Sequence, residues 1–179
     1  MALHLGASGA TLSGCTAANT NSSGSSIVEL RFNASLLIAG DSLKLMWDKE
    51  DYNISSWSSP KDSSSLMVCL AQNATMNPEK CQGDPSMWNS APLLPHADSV
   101  LHVDLSGLEG RLLAIRYGWP IADGADTCCP SSLVTHGREP CVPGSCPIIT
   151  RKTSLPANPF YATIEFGKCK CLPPQRCDG

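Results

Sequence analysis

Ser42, four histidines, Arg116, four tryptophans and ten cysteines are the side chains of this 179-residue sequence best equipped for chemistry. A serine attacks a carbonyl when a histidine takes its proton and a carboxylate orients that histidine. Ser42 follows Gly40-Asp41 and leads into the apolar run Leu43-Lys44-Leu45-Met46-Trp47, so it stands at a turn entering a strand. The partners are missing from the pattern. The residues three before His96, His102 and His136 are Leu93, Ser99 and Leu133, and Asp98 precedes His102 by four. His4, His96, His102 and His136 are scattered and read as surface or turn histidines. The expected set of catalytic residues in this chain is therefore empty.

Gly40-Asp41-Ser42-Leu43 does resemble the nucleophile block of the Gly-Asp-Ser-Leu esterases and lipases. In those enzymes a late Asp-x-x-His supplies the base and a helix follows the serine. Neither feature is readable here, and such an esterase would require a histidine near Ser42 in space.

The cysteines are Cys15, Cys69, Cys81, Cys128, Cys129, Cys141, Cys146, Cys169, Cys171 and Cys177. Structural zinc needs paired Cys-x(2–4)-Cys knuckles, which the spacings Cys141 to Cys146 and Cys169 to Cys171 fit poorly. All ten are read as disulfide candidates, and no metal or cofactor is expected. Neighbouring Cys128 and Cys129 should send their sulfurs to separate partners, with Cys141 and Cys146 the nearest choices. Oxidised thiols belong to a secreted or lumenal protein, lysosomal or extracellular. Asn-x-Ser/Thr acceptors at Asn21, Asn33, Asn53 and Asn73 point the same way. No signal peptide is visible behind Met1-Ala2-Leu3-His4-Leu5. The expectation is that a longer parent protein supplies the leader.

Among the tryptophans, Trp47 and Trp119 adjoin apolar strands and should be buried. Trp57 stands alone in Ser55-Ser56-Trp57-Ser58-Ser59-Pro60 and is the one plausible exposed sugar platform. Arg116 sits on an apolar strand beside Tyr117 and is expected in a structural ion pair.

The elements that must position these groups are strands. Val28, Leu30 and Phe32 alternate with Glu29 and Arg31 at the period of two that sends one face to a core and the other to water. Further strands are expected near residues 42–47, 65–71, 99–104, 111–117 and 160–166. Fourteen prolines and no sustained helical stripe argue against a helical protein. The expected fold is all-β, an antiparallel β-sandwich-like domain with long disulfide-bonded loops. Three segments are expected: a flexible Ser/Gly-rich lead-in over 1–26, a β-domain over 27–166 and a Cys-rich tail over 167–179. The net charge of −3 provides no basic field, so neither nucleic acid nor a membrane surface is an expected partner. No run of 18 apolar residues occurs, so no transmembrane helix is expected.

Residues 111–120, Arg-Leu-Leu-Ala-Ile-Arg-Tyr-Gly-Trp-Pro, carry a resemblance together with a later block, Leu155-Pro156-Ala157-Asn158-Pro159-Phe160. They resemble the C-terminal signature of sialate O-acetylesterases, in which a strand containing Arg116, Tyr117 and Trp119 enters a Pro/Cys loop. A segment corresponding to Leu155, Pro156, Pro159 and Phe160 then closes that signature. Val28–Asn33, Leu66–Leu70 and Trp88–Leu93 look like upstream blocks of the same family, so the resemblance spans residues 27–165. It does not include the nucleophile. It implies the non-catalytic accessory β-domain of a protein whose serine hydrolase domain removes O-acetyl groups from sialic acids. The implied partner is that hydrolase domain, and Arg116 could clamp a sugar carboxylate. The segment from Cys129 to Leu155 and the cysteine-rich tail are longer than in the family. A free-standing secreted module that binds a glycan or a protein is the alternative.

Overall fold

The computed structural model describes residues 9–17, 27–33, 41–45, 66–73, 75–118, 148–153, 155–172 and 177. Among them the first strands are β1 (Leu12–Ala17), β2 (Ile27–Phe32), β3 (Leu43–Leu45) and β4 (Leu66–Ala71). A short helix, α1 (Glu79–Gly83), and a 3₁₀ turn at Pro85–Met87 lead to β5 (Trp88–Ser90), β6 (Leu93–Ala97), β7 (Val100–Asp104) and β8 (Arg111–Tyr117). The chain closes with β9 (Ile148–Thr150), β10 (Phe160–Glu165) and β11 (Lys168–Cys171). The protein is antiparallel β, as its pattern predicts.

Nine strands form one sheet in the order β5-β4-β8-β10-β11-β1-β2-β7-β6, and β3 pairs with β9 in a second, two-stranded sheet. The large sheet curls. Three inter-strand steps separate β10 from β2, about 14 Å in a flat sheet, yet the Phe32 and Phe160 rings meet at 6.3 Å. The two halves thereby face one another across a single core. Leu12, Val28, Leu30, Leu101 and Val103 enter it from one half, and Leu66, Val68, Ile115, Tyr117 and Phe160 from the other. In β2 the alternation works as the sequence implies: Val28, Leu30 and Phe32 are buried, while Glu29 is half-buried and Arg31 exposed.

Both end segments of the domain scheme require correction. Residues 12–17, assigned to a flexible lead-in, form β1 beside β2 and β11. Leu12 is fully buried, which outweighs the weak strand preference of Ser13 and Gly14. Residues 168–171, assigned to a tail, form β11 between β10 and β1 in the interior of the sheet. There Cys169 faces the core and Lys168 and Lys170 face solvent. The hairpin from β10 into β11 turns through Phe166 and Gly167, both at positive φ, and Phe166 is fully exposed.

The β1–β11 seam is where the two halves join, and its ladder is short, with Thr16 opposite Lys168 and the Ala17 amide donating to Gly167 O at 2.8 Å. The neighbouring opposed pair, Cys15 and Cys169, is a disulfide with Cα atoms 5.0 Å apart. Cys69–Cys81 ties α1 to β4, and Cys171–Cys177 closes the end of the tail. None of the described cysteines is free. Cys128, Cys129, Cys141 and Cys146 lie outside the described residues.

Cys15–Cys169 spans a sequence separation of 154 residues. A loop that long is worth about 5 kcal/mol in lost unfolded-state entropy, and removal of such bonds costs roughly 2–5 kcal/mol in practice. The Cys15→Ser/Cys169→Ser double variant should lose stability on that scale in urea unfolding. A change below about 1 kcal/mol would mean that the seam holds without its covalent link.

Candidate functional site

The residues of the signature strand divide between the two faces of β8. Tyr117 points inward and is fully buried. Its ring stacks on Phe160 at 5.6 Å, and its hydroxyl accepts a hydrogen bond from the Ile148 amide at 3.1 Å. Burial pushes the Tyr117 phenol well above its ordinary pKa, so this group serves as a packing anchor with one polar tether. Gly118 follows at positive φ, where an added Cβ would touch Pro159. Trp119, expected to be buried, lies outside the described residues, as do Trp47 and Trp57.

The closing segment is a staple. The Leu155 carbonyl accepts from Thr150 N and the Ala157 amide donates to Ile148 O, both at 2.9 Å. Asn158 then reaches the N-terminal segment through its amide to Ala10 O at 2.8 Å and its Nδ2 to Thr11 Oγ1 at 2.8 Å. Gly9 packs so closely on the Pro156 carbonyl that a Cβ there would collide with it. Leu155 and Pro156 are half-buried, Pro159 is exposed and Phe160 is buried, so the block's role in the described structure is to hold chain segments together.

Arg116 points to the other face, between Met67 of β4 and Tyr161 of β10 in register. Its guanidinium lies 4.1 Å from the centre of the Trp88 ring. Trp88 packs edge-on against Tyr161 at 5.7 Å and donates from Nε1 to Cys81 O at 2.8 Å. The Cys69–Cys81 bond and the apolar side chains of Met76, Met87 and Leu172 frame this second, smaller cluster. Desolvation lowers the Arg116 pKa, and the cation is offset by the indole face. Among the described residues no carboxylate pairs with Arg116, so the expected ion pair is not found there. Burial raises the Tyr161 phenol, with Arg116 and a hydrogen bond to Gln82 pulling the other way. Nothing in the spacing of Arg116 and Trp88 signalled their contact, because β8 and β5 meet only through β4.

Asp41 and Ser42 form a structural corner. Asp41 is 8% exposed, and its Oδ1 accepts from Ser42 N at 2.9 Å and Lys152 N at 2.8 Å. Thr153 Oγ1 donates to Oδ2 at 3.3 Å. Ser42 O accepts from Arg151 N at 2.7 Å, and Leu43 N donates to Asp98 O at 2.7 Å. Among the described residues no histidine hydrogen-bonds the Ser42 hydroxyl. The motif thus ties the β9 turn to the start of β3.

His96 and His102, which the sequence separates, come together with their rings stacked at 3.8 Å, and His102 Nε2 lies 3.8 Å from Glu29 Oε2. Glu29 also holds Arg31, whose Nε donates to Oε1 at 2.6 Å. That bond, opposed by partial burial, lowers the Glu29 pKa. His4 and His136 lie outside the described residues. Of the four glycan acceptors, Asn21 and Asn53 also lie outside them, Asn33 is half-buried at the end of β2, and Asn73 is exposed. Asn73 Oδ1 accepts from Thr75 N at 3.2 Å and from Thr75 Oγ1 at 2.9 Å, a local turn on the surface.

Burial alone would raise the Asp41 pKa, but the Lys152 and Ser42 amides and the Thr153 donors outweigh it and hold the carboxyl below its ordinary range. A carboxylate depressed in the folded state stabilises fully above its unfolded pKa of about 4, and that contribution is lost as pH falls through the folded value. Asp41→Ala should cost about 1–3 kcal/mol at neutral pH. Thermal melts should show the gap from wild type narrowing below about pH 4; an unchanged gap would mean that the ionised form does not anchor the corner.

No protein-family model matches this sequence, and comparison with characterised proteins finds no match.

Proposed function

We propose that this chain is the C-terminal accessory β-domain of a sialate O-acetylesterase-like protein, stiffening a serine hydrolase domain supplied by the rest of its parent. The observation that carries this reading is the use made of the family-like blocks. Val28–Asn33, Leu66–Leu70, Trp88–Leu93, the signature strand and the closing segment coincide with β2, β4, β5 with the start of β6, β8 and the entry to β10. They are framework, and Tyr117 stacked on Phe160 joins two of them in the core. The nucleophile-like motif Asp41-Ser42 uses its carboxylate and backbone groups to tie the β9 turn to β3. Disulfides suit an extracellular or lumenal setting, and none of the described helices is long and apolar enough to cross a membrane. In such a setting Asn73 is the exposed glycan acceptor among the described residues.

One observation favours the alternative of a glycan- or protein-binding module. Arg116, half-buried on Trp88 with no carboxylate partner among the described residues, could receive the carboxylate of an acidic sugar or peptide.

The two readings part in one set of assays. The isolated chain should show no turnover of a simple acetyl ester, and Ser42→Ala should change nothing. It should bind a sialate O-acetylesterase hydrolase domain from which the C-terminal region has been removed. Turnover abolished by Ser42→Ala would overturn the accessory reading. Affinity for free sialic acid that Arg116→Ala removes, without binding to the hydrolase domain, would establish the alternative.

A further inference from the structure

The outer face of β2, β7 and β6 brings metal-ligating atoms together from three strands. Glu29 of β2 stands directly opposite His102 of β7 in the antiparallel register. The β6–β7 register shifts between Pro95 and Ala97, at His96. At that irregularity the two imidazoles meet, with centroids 3.8 Å apart and planes 19° from parallel. One donor atom from each of Glu29, His96 and His102 lies within 4.8 Å of the others.

The carboxylate is oriented for a further partner. Arg31 Nε occupies Glu29 Oε1 at 2.6 Å, and Arg31 Nη2 is itself fixed by donating to Thr16 Oγ1 at 2.8 Å. That leaves Oε2 turned to His102, at 3.8 Å. A fixed second partner that aims the ligand atom is what metal-binding carboxylates and histidines use.

We propose that Glu29, His96 and His102 form a binding site for a divalent transition ion, Zn²⁺ being the best match to two imidazole nitrogens and one carboxylate oxygen. That donor set is too rich in nitrogen for Mg²⁺ or Ca²⁺. Zinc takes such ligands at about 2.0–2.2 Å in a tetrahedron, which sets donor atoms roughly 3.3–3.5 Å apart. The three atoms therefore need to close by up to about 1.5 Å, and the stacked rings must turn so that one lone pair of each meets a common centre. His96 is exposed and has room to swing, while His102 and Glu29 side chains are 21% and 34% exposed, so the ion would sit against the sheet. Three protein ligands leave the fourth position open to water or to a group from another molecule.

Isothermal titration of the disulfide-intact chain with Zn²⁺ in a non-chelating buffer tests this. One Zn²⁺ per chain should bind, and His96→Ala, His102→Ala and Glu29→Gln should each weaken binding by about tenfold or more. These exposed or half-exposed substitutions should leave the metal-free melting temperature nearly unchanged, and zinc should raise that temperature less in each of the three variants than in the wild type. The His4→Ala/His136→Ala variant should bind zinc as the wild type does. Absence of binding, binding that survives the His96 and His102 substitutions, or binding lost with His4 and His136 would each overturn the proposal.

Discussion

The seam between β1 and β11 is the constraint on which the rest of this structure depends. One strand near the start of the chain and one near its end lie side by side in the middle of the sheet. Each half has strands enough to form a sheet, but a half sheet has an unprotected apolar face. Burying those faces requires the halves to be held so that Phe32 can meet Phe160 and the β7 side chains can oppose those of β4 and β8. The ladder that does this is short, and the Cys15–Cys169 bond, buried on its core side, supplements it covalently. Long-range closure is slow and entropically expensive to form. An oxidising compartment would therefore contribute to folding here as well as to stability.

Once the sheet is closed, its two outward faces become defined surfaces with different chemistry. The β4–β8–β10 face carries an arginine stacked on an indole, framed by methionines and pinned by Cys69–Cys81. The β2–β7–β6 face carries a polar row running from Thr16 through Arg31 and Glu29 to His102 and His96. Both suit contact with another molecule, which is the role proposed for the chain as a whole.

Much of this was legible in the sequence where side chains alternate strictly. Val28 to Phe32 announces its faces because large apolar residues recur at every second position, and Leu101 and Val103 do so less strictly beside Val100. β1 is hard to read from sequence because Ser13 and Gly14 dilute the pattern and its burial comes from neighbours distant in the chain. The Lys-Cys-Lys-Cys of β11 has the right period, but four residues with cysteines at the apolar positions signal cross-links as readily as a strand. β6 carries Pro95, which a central strand excludes and this edge position tolerates. The site was less visible than the fold. Arg116 and Trp88, or Glu29, His96 and His102, are brought together by pairing between strands, and no local spacing encodes such pairing.

Native-state hydrogen exchange of the oxidised chain and of the Cys15→Ser/Cys169→Ser variant tests the role of the seam most directly. If closure of the sheet rests on this seam, amides of β1, β2, β10 and β11 should lose protection together in the variant, and those of β7 and β8 should follow. Loss confined to the few amides beside the two substituted positions, with β2 and β10 as protected as before, would contradict it.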